Sequence, residues 1–301
     1  MSTRTAAAST LTTAEGFRRY LPLIPLFEQH GYAVIKLDPA IVTALETVES
    51  QAKQFFGQSA AIKHGFAAPH CVEGYREIGP EYSLVPERPD LTESFSFWYR
   101  NRRRPEIVAW RESCPLHGLM HSTADMLSAV TADLFAAMAA SWGVAGVRTP
   151  PLRFQEASYI QINYYEPAQH SRDLLQDPHE DGHLITLVRS TEPGLEIKVG
   201  DAFQAVGLAR DEMLVMPGSL LSLMTGNLVP PLFHQVRNSL RRTARYSQMF
   251  FVNPELDQKL DPWIRNASNE HIDIIQYANS APQQFGLPTL VEGAKGEGHS
   301  Y

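Results

Sequence analysis

The sequence predicts a mainly β protein with flanking helices, and three observations carry that prediction. Residues 151–254 hold short segments dense in Val, Ile, Leu, Phe and Tyr, separated by clusters of Gly, Pro, Asn and Asp. Short strands with turn signals between them build an antiparallel barrel or sandwich. The stretch before residue 150 carries instead the three- and four-residue apolar spacing of helices. Finally, 301 residues at 44% hydrophobic and 20% charged are enough to bury a sizeable core.

In chain order, residues 1–14 are small, polar and aperiodic, as expected of a flexible tail. Phe17, Tyr20, Leu21, Ile24 and Phe27 then suggest a helix interrupted near Pro22 and Pro25. Gly31 stops it, and Tyr32 to Leu37 read as a strand of β-branched and aromatic residues. Helical spacing returns over 39–56 through Ile41, Leu45, Val48, Ala52 and Phe55. Residues 57–105, rich in Gly and Pro, read as loop around the cluster from Glu93 to Tyr99. A long helix follows over 115–142, with Met120, Leu127, Val130, Leu134 and Met138 on its core-facing stripe. Strands are predicted at 159–165, 183–188, 195–199, 213–216, 220–224 and 245–251, and a short helix at 269–279. The expected organisation is a helical cover with a few strands (15–150), a β-rich core (151–254) and a helical tail (255–301) joined to that core.

Composition excludes several functions. Twenty-six basic against thirty-three acidic residues leave a net charge of −7, which repels phosphate backbones and argues against a nucleic-acid partner. The two cysteines, Cys71 and Cys114, form no CxxC pattern, so neither a cysteine zinc cluster nor a disulfide-dense secreted fold is expected. The first residues lack the apolar core of a signal peptide. No run approaches the roughly 18 apolar residues of a membrane span. The expectation is a cytoplasmic protein with free thiols and no membrane partner.

The histidines carry the chemistry. His179-Glu-Asp181 stands in the β-rich half, with His234 fifty-five residues after His179. On an extended strand, residues two apart point to the same side, so His179 and Asp181 can converge on one ion. A histidine from a neighbouring strand would complete a face of two imidazoles and one carboxylate, the set suited to non-haem Fe(II). The pair alone is weak evidence, because chance supplies His-x-Asp often in a chain of this composition. Two further pairs strengthen it. Arg245 and Ser247 share one face of a predicted strand, and a guanidinium fork grips a carboxylate through two parallel hydrogen bonds. Asn163 and Tyr165 lie two apart on another strand, where both could hydrogen-bond a ligand oxygen or serve as turn and core residues.

Together these residues resemble the iron(II)/2-oxoglutarate-dependent dioxygenases of the isopenicillin N synthase-like superfamily. Asn163-Tyr-Tyr-Glu-Pro is similar to that family's Asn-Tyr-Tyr-Pro-Pro, and His179-Glu-Asp181-Gly-His-Leu-Ile-Thr-Leu to its His-Thr-Asp-x-Gly-x-Leu-Thr-Leu. Gly194-Leu-Glu-Ile, Phe233-His234-Gln-Val and Arg245-Tyr-Ser247 follow in the family's order and spacing. His30-Gly-Tyr, Phe55-Phe56, Gly74-Tyr75 and Glu93-Ser-Phe agree more loosely. Departures are Glu166 for the first proline, a different link over 169–178, and Thr225-Gly-Asn for Ser-Asn-Gly; none removes a ligand.

The resemblance implies a double-stranded β-helix, or jelly roll, with helices packed outside. It implies Fe(II) on His179, Asp181 and His234. Cosubstrate 2-oxoglutarate would meet Arg245 and Ser247 at its far carboxylate, with Asn163 and Tyr165 near its other end. Dioxygen would be consumed, succinate and CO2 released, and a small specialised-metabolite or amino-acid-like substrate oxidised, most commonly by hydroxylation. Substrate contacts are expected from Tyr75, Phe95, Phe97, Trp98, Arg153, Tyr159 and Phe251. If the basic run Arg100 and Arg102–Arg104 folds over the mouth, it would favour an anionic substrate. The link 168–178 occupies a position suited to a lid, and His183 is a non-ligand in the family pattern. Alternatives are an oxidase of the same fold that needs no 2-oxoglutarate, a non-catalytic metal or small-molecule binder, and a zinc hydrolase. A hydrolase would need a base beside the metal water, and strand alternation turns Glu180 away from it.

Overall fold

The computed structural model describes residues 16–144, 152–167, 172–238, 243–255, 260–265, 272–273 and 276–277. The tail expected at 1–14, and most of the helix expected at 269–279, lie outside the described residues. A 3-10 turn over Gly16–Leu23 leads into helix α1 (Ile24–His30), the division falling at the two prolines as predicted. Gly31, at φ 75°, ends α1 in the left-handed conformation that glycine adopts freely. Strand β1 (Ala33–Lys36), helix α2 (Pro39–Phe56) and the short α3 (Ala60–His64) follow.

The expected loop 57–105 is largely structured. It contains β2 (Ala67–Ala68), β3 (Glu73–Arg76) and β4 (Glu93–Trp98), then leads into α4 (Pro105–Ser113). These strands escape notice because each is short and Gly74 breaks the apolar alternation of β3. Helix α5 (Pro115–Ser141) is the long helix expected over 115–142. By length and composition it could cross a membrane, a property spread over alanines and hydroxyl residues that a search for uninterrupted apolar runs overlooks. Here Leu116, Met120, Leu127, Leu134 and Met138 are buried in the protein's core.

The second half supplies β5 (Tyr159–Tyr165), β6 (Leu174–His179), β7 (Ile185–Ser190), β8 (Leu195–Val199), β9 (Ala202–Ala205) and β10 (Glu212–Pro217). Helix α6 (Ser219–Met224), β11 (His234–Arg237) and β12 (Arg245–Val252) complete it. The segment 220–224, expected as a strand, is therefore helical. All of α6 but Leu223 is buried, and periodicity cannot separate such a helix from a buried strand. The expected link at 168–178 is half strand: residues 174–178 belong to β6, whose polar Gln176, Asp177 and Pro178 hide it from pattern reading.

Two antiparallel sheets form a jelly roll. The larger runs β1-β10-β7-β12-β5-β4-β3-β2 and the smaller β6-β11-β8-β9. Four of the eight strands of the larger sheet precede residue 150, so the N-terminal region is part of the sheet as well as a cover. The period-two rule then divides the side chains. Ile160 and Ile162 of β5, Leu187 of β7, Met213 and Val215 of β10 and Phe250 of β12 pack outward against α2, α5 and their neighbours. Val188, Leu214, Met216 and Met249 face inward and meet Leu195 and Ile197 of the smaller sheet. The polar residues of the chemistry lie on that same inner face.

Candidate active site

His179 ends β6 and His234 begins β11, and the two are direct register partners across the smaller sheet. Their rings lie 4.2 Å apart, centre to centre. Each ring is turned by its own backbone. His179 Nδ1 sits 2.8 Å from the Asp177 carbonyl, and His234 Nδ1 sits 3.2 Å from the Leu232 carbonyl. A carbonyl only accepts, so each Nδ1 carries the proton and each Nε2 keeps its lone pair for a metal.

Asp181 joins them by a route the sequence did not predict. It lies beyond the end of β6, in the turn toward β7, so strand alternation does not bring it beside His179. The turn is clamped by Gly218, whose backbone approaches so closely that a Cβ there would lie 2.1 Å from the His183 carbonyl oxygen. Ser219 N donates to the Asp181 carbonyl at 2.9 Å, and Thr186 Oγ1 donates to Asp181 Oδ2 at 2.5 Å. The ligand atoms of His179, Asp181 and His234 all lie within 4.8 Å of one another. Two neutral imidazoles and a carboxylate on one face are a fitting set for Fe(II) with open positions. Glu180 accepts a hydrogen bond from Ser219 Oγ at 2.8 Å, which occupies it with α6.

Burial and the neighbouring charges prepare these groups. Burial disfavours the Asp181 anion, but His234, His183 and His179 outweigh it and hold the carboxyl below its usual range. Burial pushes His183 and His234 down to about 4, and it lowers His121 too. An unfolded histidine titrates near 6.5, so between about pH 6.5 and 4 the unfolded chain binds protons that the fold refuses. Stability of the metal-free protein is therefore complete above that window and lost as pH falls through it. At pH 5 each of the two fully buried rings costs about 2 kcal/mol. The urea midpoint, measured with a chelator present, should fall steeply from pH 7 to pH 5. An unchanged midpoint would mean that these rings are solvated.

Strand register assembles a second cluster. Asn163 of β5 faces Ser247 of β12, and Tyr165 faces Arg245. All four are buried. Arg245 Nη1 donates to Ser247 Oγ at 2.5 Å, and the guanidinium lies 5.0 Å from the Tyr165 ring centre. Tyr165 Oη accepts from Asn163 Nδ2 at 3.4 Å and donates to Gln176 Oε1 at 2.8 Å. A cavity of about 50 Å³ is lined by this cluster and by all three triad residues, with Val188, Leu195, Val236 and Met249 as apolar walls. That lining, a guanidinium and a metal-ligand set joined by apolar walls, suits a short dicarboxylic acid, charged at both ends and apolar between.

A second cavity of about 80 Å³ opens in front of His179 and Asp181, lined by Glu81, Asp90, Tyr159, Gln161, His183 and Phe251 among others. Of the residues expected to touch substrate, Tyr159 and Phe251 line it. Trp98 lies behind, stacked on Tyr159 at 3.8 Å. Tyr75, Phe95 and Phe97 point outward into the helical core, where Phe55, His117 and His121 pack on them. Arg153 pairs with Glu255 instead. Arg102 pairs with Glu156, and neither it nor Arg100, Arg103 or Arg104 lines the cavity. His183 lines it without joining the triad, with its Nε2 3.3 Å from Tyr159 Oη. Sequence reasoning missed Gln161, although it stands two before Asn163 on the same strand face. Glu81 and Asp90 carry no local signal, because a loop brings them there.

Residues 157–254 match the family model described as the 2OG-Fe(II) oxygenase superfamily. The fold recurs in a full-length Neurospora crassa protein in complex with alpha-KG, at 18% identity over 87% of this chain and 89% of that one, TM-score 0.70. It recurs also in dioxygenase for auxin oxidation 1 from Arabidopsis thaliana with 2-oxoglutarate, at 15% identity over 86% and 97% of the two chains, TM-score 0.66. JOX2 in complex with 2OG, Fe and JA shares 14% identity over 91% and 85%, TM-score 0.69. These likenesses concern the fold. The segment 157–254 is of the 2-oxoglutarate-dependent, non-haem Fe(II) oxygenase kind, and the triad lies within it. Its cofactor is Fe(II), and its cosubstrates are 2-oxoglutarate and O2.

Proposed function

We propose that the enzyme hydroxylates a C–H bond of a small specialised-metabolite or amino-acid-like substrate held in the cavity before His179 and Asp181. The observation that carries this is the convergence of one cavity on both the triad and the Arg245–Ser247 pair. His179, Asp181 and His234 would hold the iron, Arg245 and Ser247 the far carboxylate of 2-oxoglutarate, and Asn163 and Tyr165 the region nearer the metal. When bound, iron and 2-oxoglutarate supply the oxidising power from O2, releasing succinate and CO2.

The chain's own part is placement. The backbone carbonyls of Asp177 and Leu232 aim the two imidazoles, and Thr186 orients the Asp181 carboxylate. The apolar walls of the cosubstrate cavity exclude water around a buried ion pair, where charge-assisted hydrogen bonds are strongest. The stacked Tyr159 and Phe251 shield the substrate side in the same way. Small molecules bind at least two of the proteins of like fold: the Neurospora crassa protein is also seen with thymine, and JOX2 with JA. Cys71 and Cys114 are free thiols, which supports a cytoplasmic location.

The test is succinate formation with candidate small molecules. Substrate-stimulated succinate requiring Fe(II) and O2 is expected, together with a weak visible charge-transfer band when Fe(II) and 2-oxoglutarate are combined anaerobically. Bound Fe(II) with no band would favour a 2-oxoglutarate-independent oxidase. Hydrolysis with zinc and no succinate would overturn the oxygenase reading.

A further inference from the structure

We propose that the substrate cavity receives a hydrogen-bond donor, an ammonium or a ring N–H, at Glu81 and excludes a carboxylate from that corner. This rests on the reading of the cavity as the substrate site and sharpens the choice of substrate within it. The two cavities that meet at the triad have opposite electrostatics. The cosubstrate side contains Arg245. The substrate side is lined by the carboxylates of Glu81 and Asp90, and no lysine or arginine is among its lining residues. The basic run at 100–104, which could have favoured an anion, is elsewhere.

The two carboxylates differ in what they have left to offer. Asp90 is 4% exposed and accepts from Ser83 N, Ser83 Oγ and Gln176 Nε2, so its oxygens are committed to holding the loop 81–90 on β6. Glu81 is asymmetric. Its Oε1 takes Arg76 Nη2 at 2.5 Å and Ser94 Oγ at 3.1 Å. Its Oε2 has only the 3.4 Å contact from Gln161 Nε2. A carboxylate oxygen accepts about two hydrogen bonds, so Oε2 retains capacity for a donor. Arg76 stands behind Glu81: it is not among the lining residues of the cavity, and Glu81, Gln161 and Ser96 engage its Nη2. A substrate carboxylate at this end would face Glu81 and Asp90 with no lysine or arginine on the cavity wall, which is costly. An ammonium would meet a carboxylate oxygen with room for a donor, Glu81 Oε2, on the same cavity wall. For an amino-acid-like substrate, it is the amino group that belongs at Glu81.

The experiment uses pairs of compounds sharing one skeleton, such as phenethylamine and phenylacetate, or cyclohexylamine and cyclohexanecarboxylate. Binding to the anaerobic enzyme loaded with Fe(II) and 2-oxoglutarate is read by thermal shift. Amines should raise the melting temperature and their carboxylate partners should not. Glu81→Gln, which can still accept from Arg76, should weaken amine binding between about 10- and 100-fold. Glu81→Asp should fall between the two, and Glu81→Lys should turn the preference toward carboxylates. Carboxylates binding as well as amines, an unchanged amine Kd in Glu81→Gln, or no amine binding at millimolar concentration would overturn the proposal. Because no turnover is needed, this outcome is separate from the charge-transfer and succinate measurements that test the oxygenase reading.

Discussion

Asp181→Ala should abolish substrate-dependent succinate formation and weaken Fe(II) binding by more than about 100-fold, since even outer partners of metal ligands are worth roughly 10- to 100-fold. The expectation comes from the charge at the site as well as from the count of ligands. Asp181 is the anion of the triad, and it is 7% exposed. Without it, a dication would sit beside two neutral imidazoles in a buried pocket, with no anion within the ligand set. His179→Ala should do nearly as much. Anaerobic Fe(II) titration followed by a turnover assay checks both, and melting temperature separates lost metal from lost fold. Near-normal Fe(II) affinity in Asp181→Ala would place the metal elsewhere. The other donor group among the described residues, His70, Cys71 and Glu106, is the obvious second location. There, burial and Glu73 push the Cys71 thiol up to about 11, which disfavours the thiolate a metal would need.

Arg245→Ala should raise the apparent KM for 2-oxoglutarate by at least about 30-fold, because truncating one partner of a buried charge pair costs roughly 2–5 kcal/mol. Arg245 is 3% exposed and lines the cosubstrate cavity. A carboxylate arriving there meets a guanidinium already oriented by Ser247 and by the Glu192 carbonyl. Arg245→Lys keeps the charge but loses the fork, so it should fall between wild type and alanine. Fe(II) affinity should stay close to wild type, which distinguishes this variant from Asp181→Ala. Unchanged 2-oxoglutarate affinity in Arg245→Ala would remove the pocket assignment while leaving the metal site intact.

Much of the site was legible because strands show their faces. The i, i+2 pairs Asn163–Tyr165 and Arg245–Ser247 were readable as same-face pairs, and the register sets each residue of one pair opposite one of the other. His179 and Asp181 were also grouped correctly, but for a reason the fold does not use. The turn after β6, clamped at Gly218, brings Asp181 in. The substrate side was far less legible. Aromatic residues serve cores and pockets alike, and only register shows that Phe95 and Phe97 face outward while Tyr159 faces the cavity. Helix α6 reads as a strand because burial of all its residues but Leu223 and the absence of a polar face erase its period.

Residue identity and spacing fix the chemistry: the donor types, the mainly β class with flanking helices, and the period that puts Arg245 and Ser247 on one face. Those properties are local, set by residue identity and by spacing along one strand. The company each residue keeps comes from the fold. Glu81 and Asp90 come to the mouth on a loop between β3 and β4, Arg76 is engaged by Glu81 and Gln161, and the arginines of 100–104 are left off the cavity. The distance between Glu81 and Tyr159 along the chain carries no information about their distance in space. Selection of the substrate rests on contacts of that long-range kind.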